Sequence, residues 1–129
     1  MIGTQLQIMQ TSNKPLSTAV AERILDQFYC LLADLHQPQE VQSVLVGLMT
    51  PSERLAFAKR LQIAWLLHQG LSYEAIAKEL NVSSATISAV AETKDLSGMN
   101  LAYKYLKLDD KAEKAVSKLW FWQKKHHDK

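Results

Sequence analysis

Residues 71–91, Leu-Ser-Tyr-Glu-Ala-Ile-Ala-Lys-Glu-Leu-Asn-Val-Ser-Ser-Ala-Thr-Ile-Ser-Ala-Val-Ala, constrain the fold more than any other stretch of this 129-residue chain. The pattern predicts two short helices joined by a tight corner. Ser72 is placed to cap the first, its hydroxyl accepting from a free amide one turn in. Ile76, Ala77 and Leu80 give that helix an apolar side. Asn81 tolerates the left-handed conformation that ends a helix, and so makes the corner. Val82 plugs the angle. Ser83 is placed to cap the second helix, where Ile87 and Val90 or Ala91 point inward while Ser84, Ala85, Ser88 and Ala89 point out.

The spacing carries a functional expectation. A small residue at Ala77 lets two helices approach, the turn former Asn81 follows four residues on, and Ile87 comes six after that. This is the pattern of a helix-turn-helix whose second helix enters the major groove of DNA. A plain helical corner inside a core is the alternative. Small polar residues at the exposed start of the second helix favour DNA, because Ser-Ser-Ala can lie close to base edges. Charge opposes it: residues 71–91 hold Lys78 against Glu74 and Glu79, a net of −1. Phosphate attraction normally supplies most of the affinity for DNA, so positive charge must come from elsewhere in the chain.

Elsewhere means the C-terminal end. Residues 1–101 hold seven Lys/Arg and nine Asp/Glu, a net of −2, whereas residues 102–129 hold eight Lys and four acids, a net of +4. A basic segment following a helix-turn-helix suggests a polyanion partner; a lysine-rich solvated tail is the blander alternative. At 47% hydrophobic and 22% charged, with four Gly and three Pro, the chain has the composition of one helical domain with a modest core. Cys30 is the lone cysteine, so no intramolecular disulfide forms, and a free thiol fits a reducing cytoplasm. No basic start followed by an apolar run marks a signal peptide, and no apolar stretch approaches membrane-spanning length. Cytoplasmic residence, with nucleoid association when bound, is the expectation.

Taken in order, residues 1–15 are polar and mixed, predicting a mobile arm in which Ile2, Leu6, Ile8 and Met9 could dock a short segment. Residues 17–36 read as a helix with Val20, Ile24, Phe28, Leu31 and Leu35 in a stripe widened by Ala21, Leu25 and Leu32. Gln37-Pro38 interrupts it. A second helix follows over 38–49, with Val41, Val44, Leu45, Leu48 and Met49 on one side. Thr50-Pro51-Ser52-Glu53 is a strong start: a Thr50 cap, Pro51 at the first position, and Glu53 reaching back. That helix runs to about His68, with Gly70 ending it and His68 helping to satisfy its last carbonyls. Leu55, Phe57, Leu61 and Ile63 to Leu67 make it apolar on most sides, with Arg54, Lys59 and Arg60 facing outward. In so short a chain, a helix this apolar argues for a second subunit supplying part of its shell.

After residue 91 the reading is a loop over 92–98 with Gly98 as breaker, then a short helix or ordered loop over 99–108. Asp109-Asp110 starts a last helix over 111–124 with Ala112, Ala115, Val116, Leu119 and Trp120 inside. Phe121 and Trp122 extend an aromatic patch that either docks onto the core or stacks on nucleic acid.

Thr50-Pro51-x-Glu53, Arg60, Gly70-x-Ser72 and Ala85-Thr86-Ile87-Ser88, in that order, resemble the bacterial Trp repressor family. The similarity covers residues 40–93 well. The helix over 17–36 is similar in pattern only, and residues 96–129 diverge or extend beyond it. The resemblance implies an all-α, intertwined homodimer whose helix-turn-helix heads each read half of a palindrome on double-stranded DNA. It divides the chain into an arm (1–15), a dimerisation and helix-turn-helix domain (16–95) and a basic, aromatic extension (96–129). In the family, tryptophan lies between an arginine of the central helix and one of the reading helix, with threonines and a glycine around it. Thr50, Arg60 and Thr86 match the first arginine and two threonines. Ala89 stands for the second arginine and Val90 for the glycine. Losing a guanidinium removes stacking on the indole, and Val90 fills the space glycine leaves. Tryptophan binding is not expected, and Thr50, Arg60 and Thr86 are left as a possible effector pocket. Arg60 otherwise reads as half of a surface ion pair.

The resemblance places DNA contacts at Ser83, Ser84, Ala85, Thr86 and Ser88, with Lys94 beside them. Ser84, Ala85 and Ser88 are the base readers, and Thr86 and the amides after Ser83 hold phosphate. Glu74 and Ala77 stand where the family has basic contacts. Waters can mediate readout by hydroxyls this small. A transcriptional regulator, most simply a repressor, follows. No phosphate loop, metal-spaced Cys/His set or nucleophile motif points to an enzyme, and no cofactor is implied. His126-His127-Asp128 could bind a metal only adventitiously. The rival reading is a helical dimer that has lost specific DNA binding and engages another protein.

Overall fold

Each helix begins or ends where the chain supplies a partner for its free backbone groups. In the computed structural model, which describes residues 14–127, the regular structure is entirely helical, with seven helices and no strand among the described residues. They are α1 (Thr18–Asp34), α2 (Pro38–Leu48), α3 (Pro51–His68), α4 (Tyr73–Leu80), α5 (Ser84–Ala91), α6 (Ser97–Leu106) and α7 (Asp110–His127). The predicted arm lies outside the described residues apart from Lys14 and Pro15, and Ile2, Leu6, Ile8 and Met9 lie wholly outside them.

The chain divides into two compact units, residues 1–56 and 57–129. In the first, Ser17 caps α1, its hydroxyl accepting from the Val20 amide at 3.3 Å. Glu40 opens α2 by accepting from the His36 and Gln37 amides at 3.3 and 3.1 Å. The capping box read at Thr50 forms in full: Thr50 Oγ1 accepts from the Glu53 amide at 3.2 Å and Glu53 Oε1 from the Thr50 amide at 3.0 Å. These bonds to Thr50, the backbone one first, hold the Glu53 carboxyl below its ordinary range. Arg54, expected to face outward, is half-buried and donates to the Met49 carbonyl at 2.8 Å. None of the described residues up to 56 is buried. Val20, Phe28, Leu32, Leu35, Val41, Val44, Leu45 and Met49 are half-covered, while Ile24, Leu25, Leu31, Val46 and Leu48 are exposed.

The second unit holds the core. Ile63, Ala64, Trp65 and Leu66 of α3 pack with Leu71, Ile76, Ile87, Tyr103, Ala112, Val116 and Leu119, so that α3 to α7 all contribute. Fully burying one such Leu or Ile side chain stabilises the fold by about 1.5–3 kcal/mol. The burial of α3 is narrower than its sequence predicts: Leu55, Phe57 and Leu61 stay exposed. Gly70, at φ +84°, ends the helix. Its amide donates to Leu67 and the next amide, of buried Leu71, to Leu66, the paired bonds of a Schellman end. His68 bonds no carbonyl among the described residues; its ring stacks on Tyr103 at 4.1 Å.

Two expectations beyond residue 91 need correction. Gly98 is not a breaker but sits in the first turn of α6, where the amides have no helical partner to lose. The turn before it is tied instead by the Tyr103 hydroxyl, donating to the Lys94 carbonyl at 2.7 Å, and by Asn100, donating to Asp95. In α7, which Asp109 caps by accepting from the Lys111 amide at 2.8 Å, Trp120 is exposed rather than inside, and Trp122 is half-buried in its place.

Candidate nucleic-acid interface

The motif over 71–91 folds as two capped helices with a left-handed corner. Ser72 Oγ accepts from the Ala75 amide at 3.1 Å and so starts α4. Ala75 and Ile76 of α4 are fully buried. Asn81 ends the helix at φ 51°, ψ 55°, the one non-glycine residue with positive φ among those described. The Val82 amide bonds back to the Ala77 carbonyl at 3.3 Å and the Val82 side chain rests on the core. Ser83 Oγ then accepts from the Thr86 amide at 3.2 Å and starts α5. Ile87 anchors α5 with no exposed surface.

The faces of α5 are divided. Ala85, Thr86, Ala89 and Val90, with Thr93 just beyond, line a cavity of about 770 Å³ whose other wall is Phe57, Arg60, Leu61, Ala64 and Met99. Ser84 and Ser88, one turn apart, are exposed and lie off that wall. The six candidate contact residues therefore differ in what they offer. Ser84 and Ser88 present free hydroxyls. Ser83 and Thr86 face each other, Oγ to Oγ1, at 2.9 Å, and Ser83 also serves as the cap. Ala85 is exposed and borders the cavity. Lys94 pairs with its neighbour Asp95 at 2.9 Å. The Asp95 charge also acts on Tyr103, whose hydroxyl is pushed above its ordinary pKa first by burial and then by that carboxylate.

Of the candidate effector residues, Arg60 and Thr86 line this cavity, whereas Thr50 is held in its capping box with Glu53. Arg60 makes no ion pair among the described residues; its guanidinium lies over the Phe57 ring, 5.5 Å from the centroid. Val90 forms part of the wall and leaves the space open. Phe57, Thr93 and Met99 come from α3, the 92–96 turn and α6, and only tertiary packing gathers them into this lining.

α7 packs along α4. Gln123 Oε1 accepts from the Ser72 amide at 2.7 Å, Lys78 Nζ lies 4.5 Å from the Trp122 ring centroid, and Lys118 pairs with Glu79 at 3.6 Å. His126 stacks on Trp122 at 4.3 Å with its Nδ1 2.9 Å from the Trp122 carbonyl. The His127 side chain and Asp128 lie outside the described residues. No group of three or more His, Cys, Asp or Glu among the described residues is arranged to hold a metal ion, and no described helix is long and apolar enough to cross a membrane.

No curated protein and no solved structure matches the chain. A family model does, that of the Trp repressor protein, over residues 23–106. The match runs from within α1 to the end of α6 and takes in the capped central helix, the corner at Asn81 and the cavity wall. It covers well over half of the sequence, and the chain belongs to the Trp repressor family, a family of DNA-binding regulators and not of enzymes.

Proposed function

We propose that the chain is a sequence-specific transcriptional regulator, most simply a repressor, that reads a palindromic DNA site as an intertwined homodimer. The observation that carries this is the presentation of α5. After the left-handed corner at Asn81, the Ser83 cap leaves Ser84 and Ser88 exposed one turn apart, away from both the buried Ile87 and the cavity. The first-turn amides of α5 are suited to a phosphate and the two small hydroxyls to base edges or bridging waters. Dimerisation is supported by residues 14–56, which carry wide apolar stripes on α1 and α2 yet bury no residue within one chain. Tryptophan is not the effector: Ala89 stands in the cavity wall and offers no guanidinium to stack on an indole. The division of labour is an arm over 1–15, a dimerisation and reading domain over 16–95, and a basic, aromatic extension over 96–129. Residence in the cytoplasm, on the nucleoid when bound, goes with this role.

Selection from a randomised duplex pool at low and moderate salt tests it. A palindromic consensus is expected, and Ser84→Glu with Ser88→Glu should abolish its recovery while leaving the oligomeric state unchanged. A consensus still bound by the double variant would remove α5 from the reading role. The net charge of −1 over residues 71–91 favours the second reading, a protein-interaction module. Retention of no duplex at either salt would establish that the DNA reading fails.

A further inference from the structure

The charge that the helix-turn-helix lacks is gathered on α7, beyond the end of the family match. Lys111, Lys114, Lys118 and Lys125 recur at spacings of three, four and seven residues, which at about 100° per residue places them within roughly a 60° arc of one helix face. All four are exposed, and the stripe they make is about 21 Å long at 1.5 Å per residue. The opposite flank of the helix, Ala112, Val116 and Leu119, is buried in the core. α7 belongs to the same compact unit as α4 and α5, so its lysines are fixed relative to the reading helix. Their place along it is set as well: Lys118 sits 3.6 Å from Glu79, and the Ser83 cap comes only four positions after Glu79, a chain span of at most about 14 Å.

We infer that this stripe is a phosphate-binding ledge that grips the DNA backbone beside the site read by α5, an inference that rests on the DNA reading above. It supplies sequence-independent affinity to a head whose residues 71–91 carry a net charge of −1. A membrane surface fits less well. A helix that lies on lipid needs its apolar face for insertion, and here that face is spent on the core, leaving only Trp120 (43% exposed) and Phe121 (82%) outside.

The test is the salt dependence of binding to a fluorescent duplex of arbitrary sequence, about 30 base pairs long, measured with the full chain between roughly 50 and 200 mM salt. Each engaged phosphate contributes about 0.9 to the slope of log K against log salt. Replacing Lys111, Lys114, Lys118 and Lys125 together by Gln should therefore flatten the slope by about 3–4. Two chain neighbours give the sharper comparison. Lys125→Gln should lower the slope by about 0.9 and Lys124→Gln, about 100° away around the helix, by far less. Duplex binding with an unchanged slope in the fourfold variant overturns the ledge and leaves the regulator reading standing. Absence of duplex binding by the unmodified chain at 50 mM salt overturns both. Lysine-dependent capture of phosphatidylserine vesicles with the duplex ignored overturns the ledge in favour of a lipid surface.

Discussion

The side-chain carbonyl of Gln123 accepts a 2.7 Å hydrogen bond from the backbone amide of Ser72, fifty-one residues earlier. Ser72 is the cap of α4, so the last helix holds the entry to the α4–α5 pair. Gln123→Ala should leave that amide without its partner and cost about 1–2 kcal/mol, read as a lower denaturant midpoint. Gln123→Glu should restore most of the loss, since a carboxylate oxygen accepts the same bond.

Asn81 holds the corner at φ 51°. Asn81→Gly should be tolerated to within about 0.5 kcal/mol, because glycine reaches this region freely. Asn81→Val should cost roughly 1–3 kcal/mol, because a β-branched side chain crowds the carbonyl there. Thermal unfolding of the two variants separates them, and equal losses would show that the corner relaxes out of the left-handed conformation.

Ile24 and Leu31 stand seven residues apart on α1, both exposed. Ile24→Glu with Leu31→Glu should convert a dimer to monomer in sedimentation or light scattering, since two charges in an apolar interface go unpaired. A dimer that survives both substitutions would place the interface elsewhere.

Stability should fall at both ends of the pH range, for different groups. Glu53 has its folded pKa lowered by its bonds to Thr50, so its contribution is present above the ordinary carboxylate range and is lost as pH falls through the folded value. Tyr103 has its folded pKa raised by burial and by Asp95, so its contribution is present below about pH 10 and is lost as pH rises through the folded value. Denaturant midpoints taken across pH should lose the acid limb in Glu53→Gln and the alkaline limb in Tyr103→Phe.

What could be read from the sequence was local. Thr50-Pro51-Ser52-Glu53, Gly70, Ser72, Asn81 and Ser83 each act within a few residues of themselves, and each does what its chemistry predicts. Gly98 misled because α6 starts without a side-chain cap, held instead by Tyr103 reaching back nine residues to Lys94. Trp120 misled by its spacing. The buried row Ala112, Val116, Leu119 continues three and four residues on, at Trp122 and Gln123, and leaves Trp120 at the edge. The stacking of His68 on Tyr103, thirty-five residues away, and the gathering of Phe57, Thr93 and Met99 around one cavity depend on tertiary placement that no periodicity encodes. For the contact residues, Ser84 and Ser88 are exposed with free hydroxyls, whereas Ser83, Thr86 and Lys94 are engaged with neighbours.

The contribution of α7 to the core has a consequence for the order of synthesis. Trp65, at the centre of that core, reaches across forty-seven residues to the Ala112 carbonyl, and Val116 and Leu119 close the same cluster. A nascent chain that has released only α3 to α6 has therefore made the α4–α5 pair without the wall it leans on. A polypeptide ended at residue 106, where the family match stops, should expose Trp65 and Ile76 and be quickly cleaved by proteases. The α4–α5 pair here is finished late, by residues translated after it.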